Sequence, residues 1–304
     1  MSRTPLSPSA SVFVAAFLAS LVSGCSPPGL STPPAESPPD DLDILGLTAK
    51  GIHGDTLPPK TVILTYDDGP DEHTLEVATY LNQNNIQATF FINGRRICKS
   101  FKGGRCVAPM DTRTCGDGHA QAPVADPRYY PPSLLDELVG LGHRVANHTE
   151  DHCRLPRERS TNALVFELGM TQFILRKHIH DGILLFRPPY GAWDDATDAR
   201  ARTAQSLDRL VGPVMWDVDG RDYDCWHNGL DVADCGARYL QSLGTRPKLN
   251  GIILLHDRPE FNVGYEGPLL LTKWLVPRLR DSGFQFANIS DLLDLVSDST
   301  PETL

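Results

Sequence analysis

The chain has 304 residues, 40% of them hydrophobic and 22% charged, with a formal net charge of −10. That acidic balance excludes a nucleic-acid partner, because phosphate binding needs a basic surface. It also repels strongly anionic polymers unless a local cationic patch intervenes.

Residues 1–24 read as an export leader. Arg3 precedes an apolar run, Ser11 to Val22, that falls short of the about 20 residues needed to span a bilayer. The run ends in Val22-Ser23-Gly24-Cys25, which looks like a bacterial lipoprotein cleavage box, with Cys25 lipidated as the new N-terminus. The expectation is an exported protein anchored to a membrane at the periplasmic or cell-surface face. An ordinary secretory signal is the alternative. Residues 25–59 carry Pro27, Pro28, Pro33, Pro34, Pro38 and Pro39 among Ser, Thr and Asp. Such a composition buries too little apolar surface to fold, so it reads as a disordered tether.

The folded part is placed at residues 60–300. Its apolar runs predict strands at 62–66, 88–92, 144–146, 183–186, 211–216, 252–255 and 284–286,. Helical patterns fall at 74–84, 133–141, 162–178, 196–210, 231–243, 268–281 and 289–296. Regular alternation means parallel strands with helical crossovers. A single α/β domain follows, a distorted (β/α)7-type barrel, with an open doubly wound sheet as runner-up. Residues 95–132, rich in Gly, Pro and Cys, break the rhythm as an insertion.

Seven cysteines are present. Beyond Cys25 they are Cys98, Cys106, Cys115, Cys153, Cys225 and Cys235, and an even number in an exported chain points to disulfides. Cys225 with Cys235 is the expected pair, the other four stapling the insertion. Their spacings do not resemble zinc knuckles.

Polar clusters follow several predicted strands, where a parallel α/β fold gathers its site. Asp67 and Asp68 leave a strand into Gly69-Pro70. Adjacent strand side chains point opposite ways, so one carboxylate could ligate a metal while the other polarises a water. His148 and His152, four apart, would share one face of a helical turn. Asp68 would complete a His-His-Asp set with an open position for water. Arg187-Pro188-Pro189-Tyr190-Gly191 presents Arg187 on one side and the Tyr190 N–H on the other. His256 ends a strand at Leu254-Leu255-His256-Asp257 and, with a pKa near neutrality, could protonate a leaving amine. Trp216 and Asp219 lie in a further loop. His178 and His180, two residues apart, share no helical face and are set aside. Taken singly, a surface Asp-Asp-Gly turn or two solvated histidines would look the same; their shared position after strands distinguishes them.

In order along the chain, Thr65 to Pro70, His148 to His152, Arg187 to Tyr190, Asp219 to Tyr223 and Leu254 to His256 resemble the motifs of the polysaccharide deacetylase family, carbohydrate esterase family four, with its NodB homology domain. Tyr66 stands where the family has Phe, and Tyr223 where it has Trp. The resemblance implies a hydrolase removing N-acetyl groups from a GlcNAc-containing polysaccharide, peptidoglycan or a chitin-type oligosaccharide. O-deacetylation of acetylated xylan is a sister activity. It implies Zn2+, or another divalent ion such as Co2+, Ni2+ or Mn2+, on Asp68, His148 and His152. By the same resemblance Asp67 is the base, Arg187 pairs with Asp67 with Asp219 as a further partner, and His256 is the acid. The Tyr190 N–H holds the oxyanion, and Leu254 and Trp216 wall the acetyl pocket. A silent glycan-binding module would predict a broken catalytic set, and a barrel glycosidase would need no metal. The expected partners are the N-acetylated glycan and, through Cys25, a membrane; the chain is expected to act as a monomer.

Overall fold

The structure, a computed structural model, describes residues 47–98, 101–102, 105–106, 115–116, 129–258 and 266–298. The leader, Cys25, most of the predicted tether and most of insertion 95–132 lie outside the described residues.

In chain order the elements are β1 (Leu47–Ile52), β2 (Thr61–Asp67), α1 (Thr74–Gln83), β3 (Thr89–Ile92), β4 (Phe101–Lys102), β5 (Arg105–Cys106), α2 (Ser133–Gly140), β6 (Arg144–Asn147), α3 (Thr161–Leu175), β7 (Leu184–Leu185), α4 (Asp195–Arg202), β8 (Leu210–Val214), β9 (Val218–Asp219), α5 (Asp222–His227), α6 (Val232–Gly244), β10 (Gly251–His256), α7 (Gly267–Asp281), β11 (Gln285–Phe286) and α8 (Ile289–Asp298). Side-chain caps start four of the described helices: Ser160 accepts from Ala163 N–H, Asp194 from Thr197 N–H, Asp231 from Asp234 N–H and Asn288 from Asp291 N–H,. Gly142, at φ +85°, closes the turn after α2,.

Among the described residues, every strand pair outside the small β4–β5 pair is parallel. One sheet runs β6-β3-β2-β10-β9 with β11 also on β2, and a second runs β1-β8-β7. A bridge from Asn147 to Phe186 joins them. On the other side β9 pairs with β10, and Gly54, just after β1, donates to Asp217 beside the start of β10. Together these contacts close a distorted parallel barrel, as expected for the predicted class.

β2 is buried at every position, as a strand covered on both faces must be,. Its alternate residues divide between two cores. Val62, Leu64 and Tyr66 join the layer under α1, α2, α6 and α7, whereas Ile63 faces an interior with Phe91, Ala146, Val214, Ile252 and Leu292.

Three expectations are corrected. Residues 47–57, assigned to the tether, are folded: β1 pairs with β8, and Ile52 and Leu57 are buried. The helix predicted at 196–210 stops at Arg202, and a separate 3-10 turn forms at Gln205–Leu207. The 216–223 loop contains the start of α5. Cys225 pairs with Cys235, as expected, and Cys115 pairs with Cys153; Cys98 is also disulfide-bonded.

Candidate active site

Strand register assembles the site. His256, the last residue of β10, lies opposite Asp67, the last residue of β2. Ile92 of β3 pairs with Asn147 of β6, which bridges to Phe186. His148 and Arg187, each one residue further on, therefore emerge at the same end of the barrel.

The backbone separates the two aspartates. Asp67 closes the strand, whereas Asp68 turns into the left-handed region at φ +74° ahead of the cis Gly69-Pro70 bond. Asp67 is 3% exposed, and its Oδ1 accepts from Arg187 Nη1 at 2.7 Å. The buried Arg187 also donates to Thr65 Oγ1, Val214 O and Met215 O, and it lies 4.1 Å over the Phe91 ring. Burial pulls the Arg187 pKa below the usual arginine value, against the opposing charge of Asp67,.

Asp68 turns to the histidines. Its Oδ1 lies 3.2 Å from His148 Nε2 and 3.1 Å from His152 Nε2. One ligand atom from each of these residues lies within 4.8 Å of the others. His148 Nδ1 contacts the Arg187 carbonyl at 2.9 Å; a carbonyl only accepts, so Nδ1 carries a proton and Nε2 is the ring nitrogen turned to Asp68. Asp68 Oδ1 is buried and has no hydrogen-bond donor in proper geometry. One carboxylate oxygen and two ring nitrogens converging on a common point are a donor set that fits a divalent cation,. Burial works to raise the Asp68 pKa, yet the charge of His152 and contacts from both rings hold it well below the usual carboxylate value. Burial works to lower His148, and Asp67 and Asp68 raise it instead.

The two histidines do not share a helical turn, contrary to the spacing argument. Residues 148–154 form a loop, with Thr149 at φ +68° and His152 at φ +59°. Those left-handed residues fold the loop back on itself. Asn147 Oδ1 accepts from Thr149 N–H, and Thr149 Oγ1 from His152 N–H. Glu167 of α3 accepts from Asp151 N–H, and the Cys153 disulfide ties the loop to Cys115. Cys115 and Cys153 also lie near Glu158, but their sulfurs are consumed in that disulfide.

His256 faces the other side. Its Nδ1 lies 2.7 Å from Asp222 Oδ1, and its backbone N–H donates to Asp222 Oδ2 at 2.8 Å. Burial opposes charge on His256, but Asp222 prevails and pushes the pKa up to about 10. The expected near-neutral histidine is thus an imidazolium at neutral pH. Leu254 shares the His256 face of β10. Trp216 lies 5.7 Å from the Arg187 guanidinium, and the Tyr190 ring 4.7 Å from that of His152.

The sequence profile described as polysaccharide deacetylase matches residues 54–206. The chain belongs to that family. It is 27% identical over 236 residues to a peptidoglycan-N-acetylglucosamine deacetylase of Bacillus cereus, covering 77% of this chain and 88% of the relative. It is 28% identical over 216 residues to a chitooligosaccharide deacetylase of Bradyrhizobium sp., covering 67% and 74%. The solved chitin deacetylase of Colletotrichum lindemuthianum matches with a TM-score of 0.57 at 21% identity, covering 81% of this chain and 91% of that one.

Asp219 departs from its expected place in this polysaccharide deacetylase. It accepts from Arg221 N–H and is not among the hydrogen-bond partners of Arg187. Burial raises its pKa. Asp222 holds His256 instead, because α5 begins there and turns its carboxylate under the end of β10. Both aspartates lie in the Asp219–Tyr223 motif, of which the resemblance singled out Asp219 alone. Tyr223, which stands where the family has Trp, lies edge-on against the His256 ring at 5.6 Å. His178 pairs with Asp136, away from this cluster.

Proposed function

We propose that this deacetylase hydrolyses N-acetyl groups from GlcNAc-containing polysaccharide of the peptidoglycan or chitin type. The carrying observation is the convergence of Asp68, His148 and His152 with Asp67 and His256 on either side. Held by the first three, a divalent cation such as Zn2+ supplies Lewis-acid polarisation of the acetyl carbonyl and acidification of a water.

The chain's own groups divide the remaining work. Asp67 Oδ1 is committed to Arg187, which leaves Oδ2 to take the proton of the attacking water,. Arg187 holds the Asp67 carboxylate fixed in direction. As the water oxygen bonds to the acetyl carbon, the Tyr190 N–H is assigned to the oxyanion. The C–N bond then breaks, and His256, oriented by Asp222, gives its proton to the departing amine. Acetate and a free amino sugar result. Leu254 and Trp216 are assigned to the acetyl methyl.

We place the protein outside the cytoplasm, anchored through Cys25. The support is the Val22-Ser23-Gly24-Cys25 box. Labelled palmitate is expected on the native chain and not on Cys25→Ser; equal labelling of both would contradict the anchor.

Acetate release from chito-oligosaccharide, peptidoglycan and acetylated xylan, with and without chelator, tests the activity. Release from the first two, lost on chelation and restored by zinc, is expected. Release from xylan alone would assign an O-esterase, and none from any substrate after zinc repletion would refute the enzyme.

A further inference from the structure

Two guanidinium groups beside the site have no part in the reaction above. They are arranged alike. On one side the His152 ring meets Tyr190, and Arg154 lies 4.5 Å over the Tyr190 ring. On the other the His256 ring meets Tyr223, and Arg221 lies 5.7 Å over the Tyr223 ring. An aromatic face holds a cation in place without neutralising it. Arg95, Arg96, Arg187 and Arg246 each have a carboxylate within 4.0 Å. Arg154 and Arg221 have no such partner among the described residues.

Their backbones are fixed as well. Arg154 is half-buried and follows Cys153, whose disulfide pins the loop one residue beyond His152. Arg221, exposed and at φ +56°, donates its N–H to Asp219. In a chain with 38 acidic and 28 basic residues, guanidinium groups with no salt-bridge partner among the described residues place positive charge beside the reacting centre. A neutral glycan has no use for them, whereas a carboxylate accepts a guanidinium's paired N–H groups.

Building on the N-deacetylase reading, we propose that the substrate is an N-acetylated glycan carrying a carboxylate on the reacting sugar or its neighbour, with Arg154 as the principal contact and Arg221 in support. The carboxylate could belong to the lactyl ether of N-acetylmuramic acid or to a uronate; both offer the same planar anion.

The test compares kcat/KM of the full chain on three oligosaccharides of equal length: all-GlcNAc, alternating GlcNAc with N-acetylmuramic acid, and alternating GlcNAc with glucuronate. At least one anionic substrate is expected to exceed the neutral one about ten-fold at low salt. The advantage should shrink at high salt, vanish in Arg154→Gln through a raised KM, return partly in Arg154→Lys, and fall less in Arg221→Gln. The preferred anionic substrate identifies the carboxylate. Equal or better turnover of the neutral substrate would overturn the inference alone, as would a parallel loss on all three substrates in Arg154→Gln. Silence on every substrate would instead remove the deacetylase reading, and the inference with it.

Discussion

Asp67 and Asp68 are neighbours that face different partners because one backbone torsion changes sign between strand and turn. Asp67→Asn should lower kcat about 10²- to 10⁴-fold with metal content near that of the parent, measured by atomic absorption; loss of metal would mean the two roles are exchanged. The sign for His256 follows from its raised pKa. The protonated acid is present below that pKa and is lost as pH rises through it, so kcat should fall on the alkaline side. Asp222→Asn removes the strongest group holding that charge, so the alkaline limb should move to lower pH in a kcat–pH profile. An unmoved limb would detach His256 from the proton donation. Asp68, His148, His152, Arg187 and His256 were legible as strand-end clusters. Asp222 was not, because its aim depends on where α5 starts, which residue spacing does not encode. The His148–His152 pairing was foreseen for the wrong local reason: the meeting depends on left-handed Thr149 and His152, a conformation that L-residues rarely advertise.

At the scale of elements, β1 shows how a strand can hide. Leu47-Thr48-Ala49-Lys50-Gly51-Ile52 follows a proline-rich run and mixes polar with apolar residues, so no clean alternation marks it. Yet it forms one border of β8. A chain beginning at Pro58 should melt lower and aggregate more than one beginning at Pro39, since it bares a sheet edge; equal melting temperatures would make β1 dispensable. The Cys115–Cys153 bond closes a loop of 38 residues' separation, a constraint on the unfolded chain of roughly 4 kcal/mol. Because it also fixes the loop beyond His152, Cys153→Ser should weaken zinc binding about ten-fold in a competition titration. His143 joins β3, α1 and β6 through both ring nitrogens. Ala88 N–H donates to Nδ1, and Nε2 faces the Ala78 carbonyl, an arrangement only the neutral ring satisfies. Burial holds its pKa below the ordinary 6.5. The folded form then binds fewer protons than the unfolded chain, so this contribution is full above pH 6.5 and lost as pH falls below it,. The melting temperature should drop more steeply from pH 7 to 5 in the parent than in His143→Gln.

For the molecule as a whole, the proposed cation would link catalysis to stability. Asp68, His148 and His152 come from two different strand ends and are gathered only in the folded chain, so a metal that binds there stabilises by mass action. Chelation should lower the melting temperature and added zinc should raise it with concentration; a transition indifferent to both would separate the cluster from metal binding. The barrel class and element order were readable from hydrophobic periodicity. The seam that closes the barrel was not, since it is made by the two-residue β9 and by β1. That seam has a practical corollary. β1 leads into Gly54, which abuts Gly251 and Ile252 at the opposite end of β10 from His256. Leu47 therefore starts from the pole remote from the reacting groups. A resin bead or sensor chip coupled ahead of Leu47 leaves the opening unobstructed, and the immobilised protein can work on polymers too large to diffuse around it.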